Sequence, residues 1–232
     1  MLEIKRNAPL EKILQYLNKE ELFKHRWGWK LPSNKYTAQL PSLESNLERL
    51  LEPLEKYLHL DYVLGSFDFE IRGSQVFFDN EHRLYFPTVK REEGDFCIID
   101  YIKEMNNKKL ALFMCTCGKE SMNYAKALAN QKYLDYFYTD GLLSELAEAL
   151  AEYVEHQIKE KHGYSKGKRY SPGVQSLRKI GQSDYFPLDN QKTIFSLLEA
   201  DKLGMQLTDT CFLIPEKSVS GIFVSSEKAK WL

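Results

Sequence analysis

The stretch RYSPG, residues 169–173, sets a single arginine against a turn made of one stiff and one permissive residue. Arg169 carries a planar guanidinium whose paired N–H groups match a carboxylate in a way that an ammonium does not. Pro172 fixes its own φ, and Gly173 can take backbone angles closed to other residues, so main-chain groups at this bend can approach whatever the arginine holds. The same residues also suit a surface loop with a solvated charge, and the choice rests on the rest of the chain. Glu145, Glu148, Glu152 and Glu155 recur every three or four residues and share one side of a helix. A solvated face is the plain expectation for such a row, with a glutamate turned to a pocket as the exception. Cys115 and Cys117 would point both sulfurs to one face of a strand, but no second pair completes a zinc site. Together with Cys97 and Cys211 they lie in apolar, strand-like runs and read as reduced, mostly buried thiols.

The elements that position these groups follow from periodicity. Leu10, Ile13, Leu14 and Leu17 predict a helix from Pro9 to about Phe23, and Gly28 turns the chain within HRWGWKLP. A second helix is predicted from about Leu43 to Leu58, with Pro53 marking a break. The middle reads as strands: YVLGSFDFEI alternates, SQVFFD and HRLYFP form a hairpin about Asp79-Asn80, FCIIDYI is a more buried segment, and KLALFMCTC is a central strand. A long helix runs from about Lys132 or Asp140 to Lys161 and is stopped by His162-Gly163. After RYSPG comes a polar stretch, then a helix entered at Pro187 and Asp189 and left at Gly204. The two apolar runs of TDTCFLIPEKSVSGIFVSS, joined around Pro215 to Lys217, are predicted to pair as strands. Strands between runs of helices argue for an α+β fold with a mainly antiparallel twisted sheet flanked by helices.

At 232 residues, with no repeat, low-complexity tract or Gly/Ser-rich linker, the chain is expected to form a single domain spanning 1–232. A net charge of −1 advertises neither nucleic acid nor an anionic membrane as partner. The N-terminus has no apolar core of signal-peptide type, and no run approaches a membrane span, so a cytoplasmic location is expected. The 14 Tyr and 13 Phe can fill a core, with some left to line a pocket for a flat ligand.

Three stretches, in order, resemble the activation domain of cobalamin-dependent methionine synthase: LAEALAEYVEHQIKEKHGY, the RYSPG turn, and GMQLTDTCFLIPEKSVSGIFVSS. The last is the most specific, and weaker likeness reaches the N-terminal helix. The resemblance implies S-adenosylmethionine as ligand. It also implies a rescue reaction, in which oxidised cob(II)alamin takes an electron from a flavodoxin-like donor and a methyl group from S-adenosylmethionine. The homocysteine, folate and cobalamin modules have no counterpart in these residues. A free-standing version is therefore implied, with cobalamin carried by methionine synthase modules or another corrinoid protein. Arg169 matches the family's ligand-binding arginine, with Pro172 and Gly173 supplying main-chain contacts. Trp231 matches one of an aromatic pair at the ligand, where it stacks on adenine or the sulfonium or else tucks into an apolar groove. Glu148 falls where the family's long helix carries a glutamate near the site. Two departures stand out. Asn18 occupies the place of an acidic residue that meets the ligand's ammonium, and Val174 follows Gly173 where the family has tyrosine, with Tyr185 as a possible substitute. The nucleophile implied is cobalt, so no catalytic residue is assigned and the work is positioning. The alternative is a module that binds or caps a corrinoid protein and has lost the methyl donor.

Overall fold

The computed structural model describes residues 2–29, 33–90, 94–173 and 185–229. A short strand, β1 (Glu3–Lys5), leads into two helical turns, α1 (Leu10–Ile13) and α2 (Lys19–Glu21). One continuous helix to Phe23 is not formed. The chain leaves helical angles at Leu17, and Asn18 restarts it as an N-cap, its Oδ1 accepting from the Glu21 amide at 3.0 Å. Asparagine offers the backbone an acceptor that competes with the helix interior. A π-type turn over Leu22–Arg26 then delivers Leu22 and Phe23 to the core. The next helix, α3 (Ser33–Leu54), begins earlier than periodicity indicated and contains Pro41 and Pro53. Pro53 sits at its end, where a 3-10 turn over Glu55–Tyr57 takes over.

The strands follow as β2 (Asp61–Asp68), β3 (Glu70–Arg72), β4 (Gln75–Phe77) and β5 (Arg83–Tyr85). The Asp79 carboxylate accepts the amides of Glu81 and His82 at 2.7 and 2.6 Å and closes the expected β4–β5 hairpin. FCIIDYI is not extended throughout: Ile98–Lys103 form a helix, α4, because Ile98, Ile99 and Ile102 bury one helical face. A short apolar run carries no periodicity that separates the two states. Next come β6 (Lys109–Thr116), α5 (Lys119–Leu128), α6 (Tyr133–His162), β7 (Lys168–Tyr170) and α7 (Asn190–Leu198). Gly163, left-handed at φ 67°, caps α6 as the Gly signal required. The chain closes with β8 (Gln206–Leu207), β9 (Leu213–Ile214) and β10 (Ser218–Val224). The last two apolar runs do not pair with each other. β9 pairs with β8, while β10 pairs with β6 and β7.

The main sheet is antiparallel in the order β1-β2-β6-β10-β7, and β3-β4-β5 form a separate small sheet. Alternation along the strands creates two faces. Tyr62, Leu64, Phe113, Cys115 and Phe223 pack under α3 and α6 in a first core. Val63, Leu112, Met114 and Ile222 pack against α4, α7 and the small sheet in a second. The predicted central strand, β6, is covered on both faces and is buried over all but its first residue. All four cysteines are free and buried. Cys97 caps α4, Cys211 sits in a loop at φ 66° and Cys117 follows the end of β6, so only Cys115 lies within a strand. Among the described residues, no helix is long and apolar enough to cross a membrane.

Candidate functional site

Strand alternation aims Arg169. In β7 it pairs with Phe223 and shares its face of the sheet, whereas Tyr170 next to it enters the second core. The guanidinium therefore meets α6, where Nη2 donates to Glu148 Oε2 at 2.9 Å. The side chain is only 13% exposed. Its Nη1 is buried and has no hydrogen-bond partner among the described residues. Buried donors are normally satisfied, and a charged one left without an acceptor is unfavourable. An anionic group beside Nη1 would remove that deficit. The approach of β7 depends on Gly221 of β10, where a β-carbon would lie 2.6 Å from the Tyr170 carbonyl oxygen.

The bend that follows is as constrained as its residue types imply. Pro172 is buried, and Gly173 has φ 74°, with Leu188 Cδ1 lying 2.9 Å from where a β-carbon would stand. Its amide donates to the Phe186 carbonyl at 2.8 Å. Proline has no amide hydrogen, so these two residues bring no free amide donor to a ligand. A cleft of about 670 Å³ runs along the bend and is lined by Gly173, Gln191, Phe212 and Ser218 among others. Ser218 shares strand parity with Ile222, so this cleft opens on the face opposite to Arg169.

The glutamate row of α6 is not one solvated face. Glu152 is exposed, and Glu155 pairs with Lys159 at 2.7 Å. Glu148 is held by Arg169. Glu145 is buried at 4% exposure, and its closest ion-pair contact is Arg26 Nε at 3.4 Å. Burial pushes its carboxyl above the usual range, Arg26 opposes that shift, and the charges of Glu148 and Glu21 add to it. The cause is the setting of α6, whose middle is enclosed by the first core and the N-terminal turns. Farther along the same helix, Lys217 donates to Asp140 Oδ2 at 2.9 Å and Ser144 Oγ at 2.8 Å. Arg26 and Lys217 were not singled out from sequence, and Glu145 was read only as one of the glutamate row. The available signal was Glu145 between Leu143 and Leu146, a charge inside an apolar run.

The remaining expectations divide. Asn18 gives its oxygen to the α2 cap. Tyr185 is buried in the second core, edge-on to Phe96 at 6.1 Å, on the opposite face of the sheet from the guanidinium. Trp231 and Val174 lie outside the described residues. Cys115 and Cys117 direct their thiols to the carbonyls of Ala147 and Leu143 on α6. Burial drives both thiols upward, Cys117 to about 12, so neither is a thiolate nucleophile near neutral pH.

Comparisons with known proteins bear on this arrangement. Residues 47–232 match the family described as vitamin B12 dependent methionine synthase, activation domain. Methionine synthase of Mycobacterium tuberculosis (strain H37Rv) is 25% identical over 93% of this chain, and that of Mycobacterium leprae is 25% identical over 66%. The chain covers only 21% and 14% of those two proteins. A crystal structure of the MetH reactivation domain bound to AdoHcy superposes with a TM-score of 0.77 at 20% identity, covering 100% of this chain and 80% of that one.

Proposed function

The chain belongs to the activation-domain family of vitamin B12 dependent methionine synthases, and on that premise we propose that it binds S-adenosylmethionine and supports reductive methylation of a partner's cobalamin. The partner is the cobalamin-binding part of a methionine synthase or a related corrinoid protein, with a flavodoxin-like protein as electron donor. Residues 1–232 act together as one unit in this role. The observation that carries the reading is Arg169 Nη1, buried and without a partner among the described residues. S-adenosylmethionine ends in an α-amino acid, and its carboxylate is the acceptor such a donor lacks. The likeness of fold to a domain solved with AdoHcy, the product left when that donor loses its methyl group, supports the same ligand class.

When bound, S-adenosylmethionine supplies a methyl group on a sulfonium for transfer to a nucleophile. The chain's own residues bind and orient. Glu148 fixes the guanidinium by holding Nη2, which leaves Nη1 for the ligand. The Pro172–Gly173 bend keeps the chain close behind it, and Trp231 supplies an aromatic face for adenine or sulfonium. No side chain is asked to move a proton, and the contribution is proximity.

Titration calorimetry with S-adenosylmethionine tests the reading. Saturable binding that weakens at least tenfold in Arg169→Ala is expected, since a hydrogen bond to a charged group is worth roughly 1.5–3 kcal/mol. No heat at millimolar ligand leaves the second reading, a module that caps a corrinoid protein without holding the methyl donor. That reading is favoured by Asn18, which is neutral and already engaged as a cap.

A further inference from the structure

The small sheet β3-β4-β5 has two outer edges, and they end differently. Phe86 donates its amide to the Ser74 carbonyl at 2.9 Å, and Phe78 donates to that of His82 at 3.0 Å. The even-numbered residues of β4 therefore bond toward β5, while Gln75 and Phe77 bond toward Arg72 and Glu70 of β3. At the β5 edge the outward groups are taken. Asn190 accepts the Tyr85 amide at 2.7 Å and donates to its carbonyl at 2.9 Å, and Thr193 donates to the Arg83 carbonyl at 2.8 Å. At the β3 edge the same alternation points the N–H and C=O of Ile71 outward, and neither has a hydrogen-bond partner among the described residues. An edge left in this state is a template for another strand.

A cavity flanks this edge on each face. Ile71 shares the core side with Val76 and Leu84 and, with Ile102 and Met105, lines a cavity of about 480 Å³. Arg72 and Phe77 line the other, of about 460 Å³, on the outer side. Lys108 lines both. The carboxylates of the two cavities already have partners, Glu70 in Arg72, Asp68 in Lys109 and Asp79 in His82. Lys108 has no ion-pair partner among the described residues, so it is the charge left open to an incoming group.

We propose that β3 accepts an extended segment of a partner protein as an added antiparallel strand, one in which an apolar residue is flanked by acidic ones. The apolar residue stands opposite Ile71, exchanges both main-chain bonds with it, and enters the core-side cavity beside Ile102 and Met105. Its neighbours fall on the outer face, where an acidic side chain meets Lys108 and Arg72. Main-chain pairing supplies affinity, and the alternating pockets supply selectivity. The Glu70–Arg72 pair offers little resistance, since both side chains are well exposed and such pairs contribute little. This inference does not depend on the S-adenosylmethionine reading.

Fluorescence anisotropy on the full chain tests it with labelled hexapeptides. One alternates valine with glutamate, and its counterpart alternates valine with lysine. The unaltered protein should prefer the glutamate peptide by roughly tenfold, the size of one charged hydrogen bond, and Lys108→Glu should bring that preference to within about twofold. Two N-methylated forms of the glutamate peptide separate strand pairing from plain charge attraction. Methyl groups on the valine amides should abolish binding, because those amides face Ile71, whereas methyl groups on the glutamate amides should leave it. Binding that survives both methylation patterns, or is lost in both, overturns the proposal. So does binding of neither peptide, or a preference untouched by Lys108→Glu. A concentration-dependent dimer in sedimentation velocity that Arg72→Glu breaks would assign the edge to a second copy of the chain instead.

Discussion

The two faces of the main sheet both bury polar side chains, and they treat them differently. On the second face Asn190 is nearly enclosed, yet its Oδ1 accepts from the Tyr85 amide at 2.7 Å and its Nδ2 donates to the carbonyls of Tyr85 and Pro187 at 2.9 and 3.0 Å. Gln191 accepts from Ser220. His82 joins Asp79 at 2.8 Å to Ser196 at 2.9 Å, tying the β4–β5 turn to α7. On the α6 side, Arg169 Nη1 and Thr139 Oγ1 are buried with no hydrogen-bond partner among the described residues, and Glu145 has a long ion pair. A satisfied polar network holds a fold in one arrangement, whereas an unsatisfied one is a demand on something outside it. The second face satisfies these polar groups internally, and the first leaves two of them without a hydrogen-bond partner among the described residues.

That contrast can be broken by substitution. Asn190→Leu should lower stability the most, by about 3 kcal/mol, because it removes three hydrogen bonds at once, two to the Tyr85 backbone and one to the Pro187 carbonyl. Urea denaturation measures the loss, and ligand affinity per folded molecule should not change. Gly221→Ala should couple the two properties. Its β-carbon would press on the Tyr170 carbonyl and, at 2.9 Å, on the Phe113 ring, so β7 must shift and carry Arg169 with it. A stability loss of about 1–3 kcal/mol with weaker ligand binding is expected; intact affinity would show that strand position does not govern the site. Arg169→Met should be the inverse of Asn190→Leu. Replacing an incompletely satisfied buried charge with an apolar chain should change stability by less than about 1 kcal/mol while removing ligand binding, and a loss matching that of Asn190→Leu would erase the contrast.

The smallest effect concerns His162, which bonds Ser66 at 2.8 Å and stacks on Tyr164. Burial, then the charges of Lys161 and Lys109, holds its pKa below the ordinary imidazole value. The unfolded chain therefore binds the proton more readily, so stability should fall as pH drops below the unfolded value of about 6.5. Denaturation midpoints between neutral and mildly acidic pH should show that slope, and His162→Gln should flatten it.

Much of this was legible in residue types. KLALFMCTC reads as a central strand because an unbroken apolar run needs cover on both faces, and β6 has it. Gly163 and Gly173 mark a helix end and a turn, since both hold positive φ. Arg169 beside Pro172 and Gly173 stands out as a candidate anchor for the same local reason, and the structure sets it against Glu148 of α6. Other features were not. Resemblance alone places Asn18 at the ligand, and its role as the cap of α2 follows from the chain leaving helical angles at Leu17. Ile98 to Ile102 are apolar in strand or helix alike. Glu145 falls in a row whose spacing announces a wet helix face, and it is buried.

The sequence alone determined where β6, α6 and the β4–β5 hairpin lie, that Gly163 and Gly173 mark a helix end and a turn, and which family's motifs the chain carries, because each depends on residues close together along the backbone. The tertiary structure decided which strand β9 and β10 pair with, which glutamates of α6 leave water, and that Glu148 takes Nη2 of the arginine while Nη1 has no hydrogen-bond partner among the described residues. Periodicity fixes only the direction a side chain leaves its own element. What it meets there is set by elements distant in the chain, and that encounter makes a charge solvated, paired or only partly satisfied.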